Sequence, residues 1–335
     1  MRPLDARVHA LGFSMRKKAL VRAFTGRHDI EFIQQTDRLA PGSSLLLWGS
    51  APVPDDLPPG VHVYRLEDGF LRSVGLGADL TRPLSWVIDD IGIYYDATRP
   101  SRLENILSNE VWEPRLLARA RQVRERLVRS GVTKYNLPST QWRPAVENRR
   151  VVLVAGQVET DASIALGAVD IRTNLDLLKK VRELRPDAWL VYKPHPDVIA
   201  GLRAAGRDDD QTRLWCDELL VDGSMHQILE QVDEVHVITS LTGFEALLRH
   251  REVHCHGQPF YAGWGLTQDT QAHPRRQRRL SIDELVAGAL LRYPTYLNDT
   301  SNAACAVEDA LSALERLQPT ASRHRAWWRR LVRPF

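Results

Sequence analysis

Val151-Val152-Leu153-Val154-Ala155 is a continuous apolar run of the length expected for a buried strand. It leads into Gly156-Gln157-Val158-Glu159-Thr160-Asp161-Ala162-Ser163, a polar turn holding two carboxylates. Apolar residues at helical spacing follow (Leu175, Leu177, Leu178, Val181, Leu184), and then a second apolar run, Ala188-Trp189-Leu190-Val191-Tyr192. That run ends in Lys193-Pro194-His195-Pro196-Asp197. The pattern is a β-loop-α-β unit whose two loops lie at the carboxyl ends of its strands, the edge at which open parallel sheets bind ligands. Asp161 and His195 therefore meet at one crevice although they are far apart in the chain.

Strand-helix alternation extends in both directions. Towards the amino terminus the chain predicts strands at 8–13, 44–48 and 61–64 and a basic helix over 16–24. The third strand runs into a loop, Glu67-Asp68-Gly69-Phe70-Leu71-Arg72-Ser73. Residues 83–95 look extended, Ser101 with Glu104 makes a helix-start pattern, and a charged helix covers 114–130. A proline-containing polar stretch at 133–147 reads as a linker. Towards the carboxyl terminus, strands are expected at 218–221, 235–238 and 253–256, with helices at 225–231 and 244–249. Two α/β domains facing across a cleft are the simplest architecture, 1–140 and 148–300, followed by a helix and a basic aromatic tail over 301–335.

Composition bounds the function. With 335 residues, 43% hydrophobic and 26% charged, the chain has the make-up of a globular protein of two domains. A net charge of +3 is too small to argue for a nucleic acid partner. The three cysteines have no metal-ligand spacing and suit a reducing compartment. No signal-peptide pattern opens the sequence and no apolar run approaches the ~20 residues that span a bilayer, so a cytoplasmic protein is expected. Neither a glycine-rich dinucleotide fingerprint nor a Walker loop is present.

Each candidate residue has a structural reading beside its functional one. Asp161 is placed as a nucleophile or general base, and equally as a helix cap. In Lys193-Pro194-His195-Pro196 the prolines fix the backbone on both sides of a histidine suited to a phosphate oxygen, with Lys193 adding charge; a rigid turn is the alternative. Ser240-Leu241-Thr242-Gly243 joins a strand end to a helix start, which favours an anion, although capping by Thr242 explains it as well. Glu67 and Asp68 are candidates to take a proton from an acceptor hydroxyl, unless Arg72 makes them an ion pair. Asp89 and Asp90 would alternate in direction on a strand, which argues against a shared metal. The tail, with arginines interleaved with Trp327, Trp328, Leu331 and Phe335, suits an anionic membrane surface. Its alternative is a helix over 303–317 returning the chain to the first domain, with the tryptophans packed there.

Taken together these stretches resemble the capsule polysaccharide β-Kdo transferases of the KpsC/LipA type. The resemblance rests on 66–77, Asp90-Ile91-Gly92-Ile93-Tyr94-Tyr95-Asp96, 156–164, 193–198, 240–248 and 259–267, in that order. The acid-acid-Gly, His-Pro and Ser/Thr elements are also similar to the short motifs of bacterial sialyltransferases, which use CMP-activated sugars.

The resemblance implies a GT-B-like fold of two Rossmann-like domains. It also implies CMP-β-Kdo as the donor, no separate cofactor or metal, and a glycolipid or Kdo-terminated glycan as the acceptor. By motif position Asp161 would attack the anomeric carbon, and Glu67 or Asp68 would activate the acceptor. Gln157, Lys193, His195, Pro196, Ser240, Thr242 and Gly243 would hold the donor. A peripheral position at the inner membrane follows from such an acceptor. Two departures stand out: family members often carry two modules where this sequence has one, and Leu241 separates Ser240 from Thr242. A transferase of another CMP-activated ulosonic acid, and a catalytically silent module recruiting partners, are the competing readings.

Overall fold

The computed structural model describes residues 2–73, 81–134, 142–206 and 208–324. Its strands in chain order are β1 (Val8–Leu11), β2 (Glu31–Ile33), β3 (Ser44–Trp48), β4 (His62–Asp68), β5 (Ser85–Asp89), β6 (Val151–Ala155) and β7 (Trp189–Lys193). Six more follow: β8 (Glu218–Leu219), β9 (Glu234–Val237), β10 (Glu252–Cys255), β11 (Gln268–Asp269), β12 (Pro294–Leu297) and β13 (Ala304–Cys305). The α-helices are α1 (Met15–Thr25), α2 (Arg102–Asn109), α3 (Pro114–Ser130), α4 (Ala162–Gly167) and α5 (Asn174–Leu184). The others are α6 (Pro196–Ile199), α7 (Met225–Gln231), α8 (Leu241–Leu247), α9 (Ile282–Val286) and α10 (Val307–His324).

The second lobe is a parallel sheet in the order β11-β10-β9-β6-β7-β8. This is the doubly wound order, and its direction of winding reverses between β6 and β9. The ends of those two strands diverge there and leave a crevice. β6 is buried along its whole length, as its uninterrupted apolar sequence requires of a central parallel strand.

The first lobe is a mixed sheet, β13-β12-β5-β4-β3-β1-β2, with a parallel core from β2 to β4 and antiparallel β5, β12 and β13 at its other side. The fold is thus α/β and GT-B-like, two Rossmann-like lobes with their strand ends facing one cleft. Three boundaries differ from the sequence reading. β4 continues through Glu67 and Asp68, so the acidic pair ends a strand instead of occupying a loop. Only Ser85–Asp89 of the stretch 83–95 is strand. The segment Pro294–Leu297, expected in the second domain at 148–300, pairs with β5 of the first sheet.

The carboxyl-terminal run therefore returns to the first lobe. α10 lies against α3, where Arg119 pairs with Glu308 at 2.7 Å and Arg126 with Glu315 at 2.7 Å. The sequence allowed a helix over 303–317 that returns the chain to this lobe; the helix runs over Val307–His324 instead. The tail residues 325–335, with both tryptophans, and most of the expected linker (135–141) lie outside the described residues. So do residues 74–77 of the motif at 66–77.

The lobes share one apolar seam. Phe70 of the first lobe stacks on Phe260 of the second, with ring centroids 4.5 Å apart, and Tyr94 meets Phe70 edge-on at 4.8 Å. Beside it Glu104 of α2 receives Arg275 at 2.6 Å and Arg276 at 3.1 Å, a mostly buried ion network across the lobes. Seam and network fix one side of the cleft and leave its mouth open between α1 and α6.

Candidate active site

The cleft encloses a cavity of about 1500 Å³, larger than the ~300–1,000 Å³ that suffices for one drug-sized ligand. Asp161, Glu67, Asp68, Gln157, Lys193, His195, Pro196, Ser240 and Thr242 all line it. Gly243 is the one candidate that does not. It stands behind the Ser240 turn, where a Cβ would fall 2.3 Å from the Tyr261 hydroxyl.

Neutral hydrogen bonds build the second-lobe wall. Gln157, at the end of β6, donates from Nε2 to Thr239 Oγ1 at 3.0 Å and accepts from the Thr239 N–H at 2.8 Å. Its backbone exchanges two further bonds with the buried Asn174 side chain, at 2.9 and 3.0 Å. Gln157 thus stitches the β6 and β9 ends together at the switch point, a positioning job that its amide fulfils with both ends. Ser240 caps α8 by accepting from the Thr242 N–H at 3.2 Å and donates to Thr242 Oγ1 at 3.1 Å. The cap is therefore Ser240, not Thr242 as the sequence suggested. Tyr261 donates to the Ser240 carbonyl from below.

Asp161 caps α4, accepting from the Ser163 N–H at 2.8 Å, and its side chain is exposed to the cleft. The structural and functional readings of this residue are therefore compatible: one oxygen holds the helix start and the carboxylate still faces the cavity. The far end of α4 is anchored to the first lobe, where the Ala97 N–H reaches the Leu166 carbonyl at 3.2 Å.

His195 begins α6, and its Nδ1 accepts from the Asp197 N–H at 3.2 Å. The neutral ring then carries its proton on Nε2. Burial lowers its pKa, against the pull of Asp197. Burial likewise pushes Lys193 down to about 8, opposed by Asp222.

On the first-lobe wall the acidic pair divides. Asp68 receives Arg72 Nε at 2.6 Å and Trp86 Nε1 at 3.1 Å, the ion pair foreseen for it. Among the described residues Glu67 has no such cation within ion-pairing distance, although the charges of Lys134 and Lys17 act on it. It accepts from the Tyr95 hydroxyl at 3.4 Å and from the Asp68 N–H at 2.9 Å. Burial, and then the charge of Asp68, push its carboxyl up to about 7. Tyr95 feels the charge of both Glu67 and Asp161, which places its phenol within the field of the two walls.

Asp89 and Asp90 are taken up by the fold. Asp89 accepts from the Ile91 and Gly92 N–H groups at 2.9 and 2.8 Å and from the Tyr293 hydroxyl at 2.8 Å, while Asp90 pairs with Arg102. Away from the cleft, Glu234, His236 and His254 bring ligand-type atoms within 4.8 Å of one another. Arg150 and Arg185 approach the same carboxylate at 2.6 and 3.0 Å, so its lone pairs are already shared among guanidinium and imidazole donors. Burial would raise Glu234, but those donors hold it well below the usual carboxylate range. This group closes the β9–β10 face of the sheet.

Sequence reasoning missed Lys17, Trp48, Trp86 and Tyr95, all of which line the cavity. Their signal was position alone: Trp48 ends β3 and Lys17 lies in the first turn after β1, both at the same sheet edge as Glu67.

Comparison with known proteins agrees with this geometry. The model of a family described as capsule polysaccharide biosynthesis protein matches residues 58–137 and 126–299. The capsule polysaccharide modification protein LipA of Neisseria meningitidis serogroup A is 41% identical over 323 residues, covering 93% of this chain and 46% of LipA. The lipopolysaccharide-processing protein LpsZ of Rhizobium meliloti is 42% identical over 260 residues, 76% of this chain and 59% of LpsZ. The chain thus spans about half the length of the LipA proteins. Among solved structures, a Thermosulfurimonas dismutans KpsC β-Kdo 2,7 transferase matches with a TM-score of 0.78 at 40% identity. It covers 93% of this chain and 99% of that one. The KpsC β-Kdo 2,4 transferase of the same organism matches at 0.81 and 31% identity, with the same coverages. The chain belongs to the capsule polysaccharide biosynthesis protein family, as its resemblance to KpsC and LipA implied.

Proposed function

We propose that this chain is a glycosyltransferase module that transfers β-Kdo from CMP-β-Kdo, with retention, to a glycolipid or Kdo-terminated glycan acceptor in capsule or related surface polysaccharide synthesis. The observation that carries the reading is the pairing in one cavity of Asp161 on one wall with Glu67, raised to about 7, on the other. A double displacement needs those two groups. The Asp161 carboxylate attacks the anomeric carbon, and the bond to the phosphate oxygen breaks with its electron pair leaving on CMP. The acceptor hydroxyl then gives its proton to Glu67 and attacks the same carbon, returning Asp161 as a carboxylate.

Lys193, His195, Ser240 and Thr242 line the same cavity, and in this reading they hold the donor's phosphate and carboxylate. Pro196 holds the His195 backbone, and Gln157 and Gly243 keep the strand ends in position. The two KpsC β-Kdo transferases, at 40% and 31% identity, support the reading. No α-helix among the described residues is long and apolar enough to cross a membrane. Contact of residues 323–335 with an anionic membrane surface belongs to the same proposal.

The test is incubation of the chain with CMP-Kdo, generated in place, and a panel of Kdo-terminated acceptors. A β-linked product defined by NMR is expected. Product from CMP-sialic acid alone would shift the donor to another ulosonic acid, and no product with either would leave a silent module.

A further inference from the structure

Resting on the transferase reading, we propose that Lys17 and Trp48, backed by the buried Trp86, form the acceptor subsite beside Glu67, and that this subsite selects a sugar bearing a carboxylate. The four residues come from four elements that end or begin at one sheet edge: α1, β3, β5 and β4. All line the cleft. Trp86 is fully buried, stacked on Phe24 at 4.6 Å and bonded through Nε1 to Asp68, so its ring is fixed. Trp48 leans on it at 4.9 Å and an interplanar angle of 66°, and is only half-buried. An indole face held in this way, next to a carboxylate able to take a proton, suits a pyranose ring.

Lys17 supplies the charge preference. Its ammonium sits 3.0 Å from the centroid of the Trp48 ring. Two other cations of this wall are already engaged, Arg72 with Asp68 and Arg82 with the Asn298 and Asp299 carbonyls, while Arg16 lines the cleft from the exposed start of α1 and does not rest on an indole. Glu67 and Asp68 attract Lys17 electrostatically, but none of the described carboxylates lies within ion-pairing distance of it. A half-buried ammonium resting on a π face keeps its three donors for an incoming anion. When an acceptor carboxylate arrives, Lys17 exchanges the ring for the ion pair, and the uncovered indole takes the sugar. A neutral acceptor gives Lys17 no reason to leave Trp48, so charge recognition and ring stacking are linked.

The experiment uses the full chain, CMP-Kdo, and two acceptors: a Kdo glycoside and the same glycoside with its carboxylate converted to the carboxamide. The wild type should favour the carboxylate by about 10- to 100-fold in kcat/KM, the worth of one charge-assisted contact. Lys17→Met should lose that preference through acceptor KM, and Lys17→Arg should keep most of it. Trp48→Leu should raise KM for the carboxylate glycoside and leave that of the carboxamide nearly unchanged. The donor half-reaction is followed separately, as a mass increase of one Kdo on the protein incubated with CMP-Kdo alone. A Kdo adduct together with equal use of both acceptors by the wild type overturns the subsite, as does a preference that survives in Lys17→Met. Absence of both adduct and transfer in the wild type overturns the transferase reading and the subsite with it.

Discussion

On the second-lobe wall of the cleft, the ends of β6 and β9 are tied to each other by Gln157 and Thr239, and the Ser240 turn rests on the Tyr261 hydroxyl. On the first-lobe wall, Glu67, Asp68, Lys17 and Arg72 are crowded at the end of one strand, and burial works against the charges of Glu67 and Lys17. The strand ends of one wall are locked by neutral hydrogen bonds, with Lys193 the charge held there against burial; the other wall crowds its charges against one another. The difference fits the two demands of group transfer. A donor must be held at fixed geometry for attack, whereas an acceptor hydroxyl needs a base poised near neutral pH. Each wall should therefore fail in its own way when altered.

The largest effect is expected from Asp161→Asn. Asparagine caps a helix about as well as aspartate, so stability should hardly change. The nucleophile is lost, and transfer should fall by on the order of 10³-fold or more, with no Kdo adduct in the mass spectrum. Near-normal turnover would remove Asp161 from the reaction.

Glu67→Gln should lower kcat by about 100- to 1,000-fold. In the wild type the acid limb of kcat/KM should lie near pH 7, rising with pH as Glu67 ionises. Stability should move oppositely. A carboxyl raised from its ordinary value near ~4.3 takes up a proton on folding, so the native state loses stability as pH climbs from there through about 7. Glu67→Gln escapes that loss and should melt roughly 5–10 °C above wild type at pH 8, but not at pH 4. Equal melting temperatures at pH 8 would show that this wall stores no such strain.

How far sequence reached follows the same division. The β6-α5-β7 unit was legible because a strand buried on both faces must be continuously apolar, and Val151–Ala155 is. Asp161, His195 and Ser240 were legible because they follow such strands. The short strands β2, β12 and β13 were not, since Glu31–Ile33 or Ala304–Cys305 carry too few residues to show a period. Nor was the division of labour within the acidic pair. Glu67 and Asp68 are neighbours of one kind, and only the positions of Arg72, Trp86 and Tyr95, set by the fold, separate them.

His195→Ala should act on the second wall alone. Donor KM should rise about 10- to 100-fold, the loss of one contact to a charged group, while acceptor KM stays put. Equal changes in both would mean that the histidine serves the turn and not the phosphate. The bond to the Asp197 N–H would then be part of that service.

The smallest effect tests stiffness itself. Gly243 adds no group to the cavity, yet a Cβ there would lie 2.3 Å from the Tyr261 oxygen and 2.8 Å from the ring carbon bearing it. Tyr261 is fully buried, edge-on to Phe260 at 5.2 Å and tilted against Phe244 at 6.3 Å, so it cannot swing aside as a surface tyrosine would. Gly243→Ala must therefore either push the ring into those neighbours or lift the Ser240 turn off its hydroxyl. Overpacking of this kind costs about 1–3 kcal/mol, a drop of roughly 2–10 °C in Tm at this chain length. Because the turn carries Ser240 and Thr242, a few-fold rise in donor KM should accompany it. Adding Tyr261→Phe removes the nearer of the two clashing atoms but leaves the ring, so the double variant should recover part of the stability and none of the Ser240 anchor. If Gly243→Ala instead melts with the wild type and binds donor normally, the second wall is as yielding as the first, and the contrast between them is lost.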